Sequence, residues 1–284
     1  MNSKDDELLK IGTCSWNYDS WVGLVYSRKQ KAAADYLSEY VQKFDTAEID
    51  SWFYKIPEQN EVFSYIENAG IDFPFTCKIP ERICLTHKRN YGKSKSLETN
   101  EEFLSGDLFE KYLKRIEPML SQIEVLMMEF EYLNKEKMAS QNEFMEKVGE
   151  FVRNYGKGLP IGIECRNSNY LNKKYFEFIE QEKLIHVFSE KQYLPHVYDL
   201  YEEYKMHIKG RSVIRLLGGD RKEIETKTSN EWNKIVDERN DKDKISRMTK
   251  DIKMSGSKVI VNVNNHFEGS APITIESLRA LLKS

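Results

Sequence analysis

Eight short strand-like runs, nearly all separated by helical patterns, constrain this chain more than any other feature of its sequence. The runs cover residues 11–14, 46–50, 73–78, 125–129, 161–165, 184–188, 213–216 and 259–263. Between them, apolar residues recur at spacings of three and four, the signature of a helix with one buried face. Ala33, Ala34, Leu37, Tyr40, Val41 and Phe44 make one such face. Val62, Phe63 and Ile66 make another, in a helix expected over 57–69 with Pro57 near its start. Further faces follow at Phe109, Tyr112, Leu113 and Ile116, at Phe144, Val148, Phe151, Val152 and Tyr155, and at Tyr175, Phe176 and Ile179. A long helical stretch is expected through Trp232, Ile235, Val236, Ile245, Met248 and Ile252, and a closing helix over 275–282. Parallel strands need a crossover, usually a helix, so this alternation predicts a parallel sheet. Eight units in 284 residues predict an α/β fold of the single (β/α)8, TIM-type barrel kind, which typically takes ~250 residues. No Gly-x-Gly-x-x-Gly turn follows the first run, which argues against an open dinucleotide-binding sheet.

Composition narrows the setting. Hydrophobic residues make up 40% and charged residues 31% of the chain, and no apolar run approaches the ~20 residues that span a bilayer. Residues 1–10 are charged and lack the apolar core of a secretion signal. They read as an exposed tail before a barrel domain over 11–284, in a soluble, cytoplasmic protein. The net charge of −3 does not advertise a nucleic-acid-binding face. Cys14, Cys77, Cys84 and Cys165 have no metal-ligand spacing and read as reduced, mostly buried thiols.

Strand parity then selects candidate site residues, because side chains two apart share a face. In the second run Thr46, Glu48 and Asp50 oppose Ala47 and Ile49. In the third, Thr76 and Lys78 oppose Phe75 and Cys77. Glu129 ends the fourth. Gly162, Glu164 and Arg166 oppose Ile163 and Cys165 in the fifth, and Arg215 opposes Ile214 and Leu216 in the seventh. Asn262 and Asn264 oppose Val259, Val261 and Val263 in the eighth. The apolar face suits helices, so the polar face is expected to point into the barrel near its C-terminal mouth, where this fold builds active sites. Unpaired charges there would cost several kcal/mol each, so they must pair with one another or with a ligand. The expected roles are Glu48 and Glu164 as acid and base, and Lys78, Arg166 and Arg215 on an anionic group or on developing negative charge. Asn264, Asp50 and His266 would orient a substrate.

Other motifs are weaker. The loop aromatics Trp16, Tyr18, Trp21, Trp52, Phe53 and Tyr54 could stack on a ring of a ligand or pack beneath loops; Trp16 and Tyr54 are the candidates for contact. Thr86 to Lys95 lies in a long polar loop after the third run and is basic. It could hold a phosphate or a nucleic-acid backbone, but a solvated loop is the favoured reading. The carboxylates with His266 could in principle hold a divalent ion. The nearby Lys78, Arg166 and Arg215 oppose a cation, so no metal is expected, and no cofactor is assigned.

The same residues carry a family resemblance. Gly12-Thr13-Cys14-Ser15-Trp16-Asn17-Tyr18 with Trp21, Gly23 and Tyr26, then Glu48-Ile49-Asp50-Ser51-Trp52-Phe53-Tyr54, resemble the start of the YecE-like family, formally domain of unknown function seventy-two. So do Phe73-Pro74-Phe75-Thr76-Cys77-Lys78-Ile79-Pro80 with Thr86-His87, Glu164-Cys165-Arg166, Arg215-Leu216-Leu217-Gly218, and Asn264-Asn265-His266-Phe267-Glu268-Gly269-Ser270-Ala271. The resemblance runs in order along essentially the whole chain and implies a (β/α)8 barrel; it implies no particular reaction. Asp50 stands where the family has Asn, Tyr170 where Trp is frequent, and Leu217 where His is common. Glu129-Phe130-Glu131-Tyr132-Leu133 replaces a proline-rich segment. The functional expectation is therefore an enzyme acting on a small anionic or polyhydroxylated substrate. A nucleic-acid or phosphodiester-binding barrel, or a non-catalytic ligand-binding protein, is the alternative. The oligomeric state is not legible.

Overall fold

Eight parallel strands close on themselves in sequence order, each bonded to the next and β8 to β1. They are β1 (Leu9–Cys14), β2 (Thr46–Ile49), β3 (Phe75–Lys78), β4 (Ile123–Phe130), β5 (Ile161–Cys165), β6 (Ile185–Lys191), β7 (Arg211–Gly218) and β8 (Lys258–Val263). The computed structural model describes residues 7–89 and 97–284. The helices are α1 (Leu37–Tyr40), α2 (Gln59–Ala69), α3 (Glu81–Cys84), α4 (Gly106–Ile116), α5 (Gln141–Tyr155), α6 (Lys173–Gln181), α7 (Val197–Tyr204), α8 (Arg221–Thr228), α9 (Lys242–Met254) and α10 (Ala271–Lys283). Among the described residues no helix is long and apolar enough to cross a membrane.

Two apolar layers follow from the strand alternation. Val125, Met127, Ile185, Val187, Val213 and Ile260 fill the barrel interior. Residues of the opposite parity, such as Ala47, Ile49, Phe75, Cys77, Ile163, Ile214 and Val261, pack outward against the helices. Gly162 leaves room for the inner layer: a Cβ there would lie 2.6 Å from Val125 Cγ1 and 3.0 Å from Val187 Cγ2. All four cysteines are free and buried.

Several elements differ from the sequence reading. β1 begins at Leu9, and the charged residues 1–6 lie outside the described residues. α7 fills an interval in which the spacing predicts no helix. Of the long helix expected through Trp232, only the part with Ile245, Met248 and Ile252 is helical, as α9, and the separate α8 ends before it where Ser229 and Asn230 take positive φ of 54° and 59°. Trp232 and Val236 lie in the irregular segment before α9. The most consequential difference is β6, which runs on through Ser189 and Glu190 to Lys191 instead of stopping at Phe188.

Candidate functional site

Parallel register places the polar inward residues at one level of the barrel. Glu48 stands beside Thr76, Glu129 beside Glu164, and Arg215 between Ser189 and Asn262. All lie toward the C-terminal ends of their strands. The expectation that charges from separate strands converge at this pole is met by an ion-pair network centred on Arg215.

Arg215 makes a two-pronged contact with Glu48, Nε to Oε2 at 2.7 Å and Nη2 to Oε1 at 2.6 Å. Its Nη1 donates to Glu164 Oε2 and to Glu129 Oε2, the latter at 3.2 Å. Lys78 Nζ lies 2.9 Å from Glu129 Oε2 and 2.5 Å from Asp50 Oδ1, and its ammonium sits 4.7 Å from the centre of the Phe53 ring. Arg166 joins the same acids, Nη2 to Glu129 Oε1 at 2.9 Å and Nε to Glu164 Oε1 at 3.0 Å. Asn262 Nδ2 reaches Glu48 Oε2 at 3.4 Å and Thr76 Oγ1 at 2.8 Å.

Electrostatics follow from this geometry. Burial opposes ionisation of Glu129 and Glu164, but the surrounding cations outweigh it. Lys78, Arg166 and Arg215 hold Glu129 below the usual carboxylate range, and Arg215 and Arg166 do so for Glu164. Burial likewise works against the charge on Lys78, yet Glu129, Asp50 and Glu48 raise its pKa. For these groups the opposite charges alongside supply what desolvation costs.

Access to solvent divides the cluster. The side chains of Glu48, Glu164 and Arg215 are 2% exposed or less and Lys78 is 8% exposed, whereas Asp50 is 35% and Arg166 25% exposed. Glu48 and Glu164, expected as acid and base, are thus sealed beneath Arg215 and engaged by it. The groups that reach the opening are Asp50 and Arg166, and Nη1 of Arg166 has no hydrogen bond among the described residues. Tyr54 stands 61% exposed nearby; burial of its hydroxyl and the charge of Asp50 raise its pKa.

Three expected residues are placed elsewhere. Trp16 is buried in the layer between strands and helices, its ring 5.1 Å from Tyr65 and 6.2 Å from Phe75, and its indole N–H donates to Ala33 O. Asn264 caps the turn after β8: its Oδ1 accepts from His266 N at 3.0 Å and contacts His266 Nδ1 at 2.6 Å. His266 faces α8, with Nε2 3.3 Å from Glu225 Oε1 and its ring 4.8 Å from Trp232. The asparagine that reaches the charged network is Asn262, one strand period earlier.

The extension of β6 brings in residues the sequence reading passed over. Ser189 and Lys191 continue the inward parity of Ile185 and Val187. Ser189 Oγ and Asn262 Oδ1 are both buried without a hydrogen-bond partner. Lys191 is half-buried, and its ammonium has no carboxylate within ion-pair distance among the described residues.

Other clusters are internally satisfied. Glu190, His196 and Asp241 lie close enough to share a cation, but Arg239 Nη2 already stands 3.2 Å from Glu190 and 3.0 Å from Asp241 and supplies the positive charge they need. In the basic loop, Lys88 pairs with Glu98 and Arg89 with Glu81; residues 90–96 of it lie outside the described residues. A cavity of 1170 Å³ opens at the opposite pole, lined by Leu159, Pro160, Lys183, Lys209 and Arg211, among others, ahead of β5, β6 and β7.

A model of the family described as "Protein of unknown function DUF72" matches residues 10–284. No curated protein matches the chain. A DUF72 family protein from Enterococcus faecalis V583 is similar in structure, with 17% identity and a TM-score of 0.69, covering 97% of this chain and 96% of that one. Another from Thermotoga maritima MSB8 has 15% identity and a TM-score of 0.68, covering 98% and 100%. The catalytic domain of a β-amylase from Paenibacillus polymyxa reaches a TM-score of 0.50 at 8% identity over 97% of this chain and 99% of that one. At these identities the likeness is one of fold.

Proposed function

The chain belongs to the DUF72 family, whose model spans residues 10–284, and from the chemistry at its barrel mouth we propose an enzyme acting on a small anionic or polyhydroxylated substrate. The observation behind this reading is the asymmetry of the ion-pair network. Its inner members are sealed and fully engaged, while Asp50 and Arg166 each hold one side against the network and turn the other to solvent. A network that served the barrel alone would have no need to end in a part-exposed carboxylate and a guanidinium edge with no partner among the described residues.

The roles follow from that division. The open edge of Arg166 takes the anionic group or paired hydroxyls of the substrate, in the planar geometry that suits a guanidinium. Asp50 is the proton acceptor at the opening. Lys78, fixed by Glu129, orients it through their contact. Glu48, Glu164 and Arg215 position these groups without touching substrate, as a rigid shell must if the reacting side chains are to hold their geometry.

The reading is tested by turnover. Wild-type protein and Asp50→Asn are incubated with a small-molecule extract, and its composition is followed by mass spectrometry. The expected result is consumption of an anionic or polyhydroxylated compound by the wild type, with loss of that activity in Asp50→Asn at unchanged melting temperature. Binding without consumption, or equal consumption by the variant, contradicts it.

A further inference from the structure

Lys191 ends the extended β6, and nothing in the roles above uses it. A register shift between β6 and β7 falls between Glu190 and Lys191, so that Glu190 pairs with Leu216 but Lys191 with Gly218. The extra residue is Leu217 of β7, so β6 keeps its alternation through Lys191. Glu190 points outward, where its carboxylate contacts His196, Arg239 and the backbone N–H of Val197. Lys191, of the opposite parity, is aimed at the mouth. The charges that act on it come from each neighbouring element: Arg166 and Glu164 from β5 and its end, Glu129 from β4, and Arg215 from β7. It acts in turn on His266 of the turn after β8.

We propose that Lys191 is a nucleophilic amine, which captures the carbonyl carbon of a small aldehyde or ketone carrying an anionic group. The inference rests on the reading of the mouth as a substrate site, with Arg166 holding the anion. Lys191 is half-buried, feels Arg166 and Arg215 as well as Glu164 and Glu129, and has no carboxylate within ion-pair distance among the described residues; a desolvated lysine near another cation has its neutral form favoured, the arrangement that activates an amine for this chemistry. Burial and the Arg166 charge lower its pKa, in that order. The nitrogen lone pair forms the C–N bond as the carbonyl π pair moves to oxygen. That oxygen takes up protons, one of the two N–H hydrogens is lost at each stage, and the C–O bond breaks to release water. An imine links Nζ to the former carbonyl carbon, with no oxidant or reductant required. Lys78 cannot take this part, since Asp50 and Glu129 hold it as an ammonium.

The test is reductive trapping. The full-length protein is incubated with glyoxylate or dihydroxyacetone phosphate and cyanoborohydride, and the modified lysines are located by peptide mapping. The expected result is an adduct concentrated on Lys191, suppressed by glycolate or glycerol phosphate, which carry the anion without the carbonyl. Lys191→Met and Lys191→Arg should both lose it while melting as the wild type does; the arginine variant keeps the charge and removes the amine. Adducts spread over surface lysines with no preference for Lys191 overturn the inference. If glycolate or glycerol phosphate still raises the melting temperature of the wild type but not of Arg166→Met, the substrate-site reading survives that failure. An adduct on Lys191 that is indifferent to Arg166→Met overturns the anion-holding role and leaves the amine standing.

Discussion

Arg215 is the residue on which the most local chemistry depends. It is one of the largest fully buried side chains, and it faces three carboxylates from three strands. Removing one partner of a buried pair leaves uncompensated charge, at a cost of about 3–5 kcal/mol. Arg215→Met is therefore expected to destabilise the fold by about that amount at neutral pH, measured by denaturant unfolding. The effect has a pH signature. Glu129 and Glu164 have lowered pKa values in the folded state, so their contribution is present above the unfolded value of about 4.3 and is lost as pH falls through the folded values. The stability gap between wild type and Arg215→Met should thus be largest at neutral pH and close under acid. A gap that stays constant down to strong acid would contradict the network as drawn. Lys191 gives the complementary signature at alkaline pH: its lowered pKa means that trapping should become efficient below the pH at which an ordinary lysine of pKa about 10.4 reacts.

Elements set where these residues meet. The junction of β7 with the turn after β8 is tight: Gly218 has φ of +82°, and a Cβ there would lie 2.2 Å from His266 O. Gly218→Ala is expected to cost more than about 1 kcal/mol, because both the left-handed backbone and the contact oppose it; thermal unfolding reads the loss, and an unchanged melting temperature would refute it. Gly218 is also the register partner of Lys191, so the same variant should weaken trapping there. Strand parity made much of this site legible in the sequence. Glu48, Lys78, Glu164 and Arg215 alternate with apolar neighbours, and period two together with the expected barrel assigns them inward. The end of β6 was not legible because Ser189, Glu190 and Lys191 break the apolar run that marks a strand, although the alternation continues beneath it. Asn262 and Asn264 share one parity, but β8 ends at Val263, so Asn262 reaches the network and Asn264 caps the turn, a distinction that parity alone does not make. Trp16 shows the limit of aromatic signals: a loop ring reads the same whether it meets a ligand or packs on Tyr65. Asn230 is a helix-stop signal that the spacing reading passes over: Ser229 and Asn230 both take the left-handed backbone, and asparagine tolerates it.

The whole molecule has two poles of different character. At the C-terminal pole, charges from β2, β3, β4, β5 and β7 are bound into one network with an exposed rim. At the other, a cavity of 1170 Å³ is bordered by Lys183, Lys209 and Arg211. In closed parallel barrels the C-terminal face is the one that hosts chemistry, and the central claim is that this holds here. Calorimetric titration of the wild type, Arg166→Met and Lys183→Met with glycolate and glycerol phosphate tests it most directly. The account predicts binding that is lost in Arg166→Met and kept in Lys183→Met, with both variants folded. Binding that survives Arg166→Met and disappears in Lys183→Met would place the ligand at the opposite pole and contradict it.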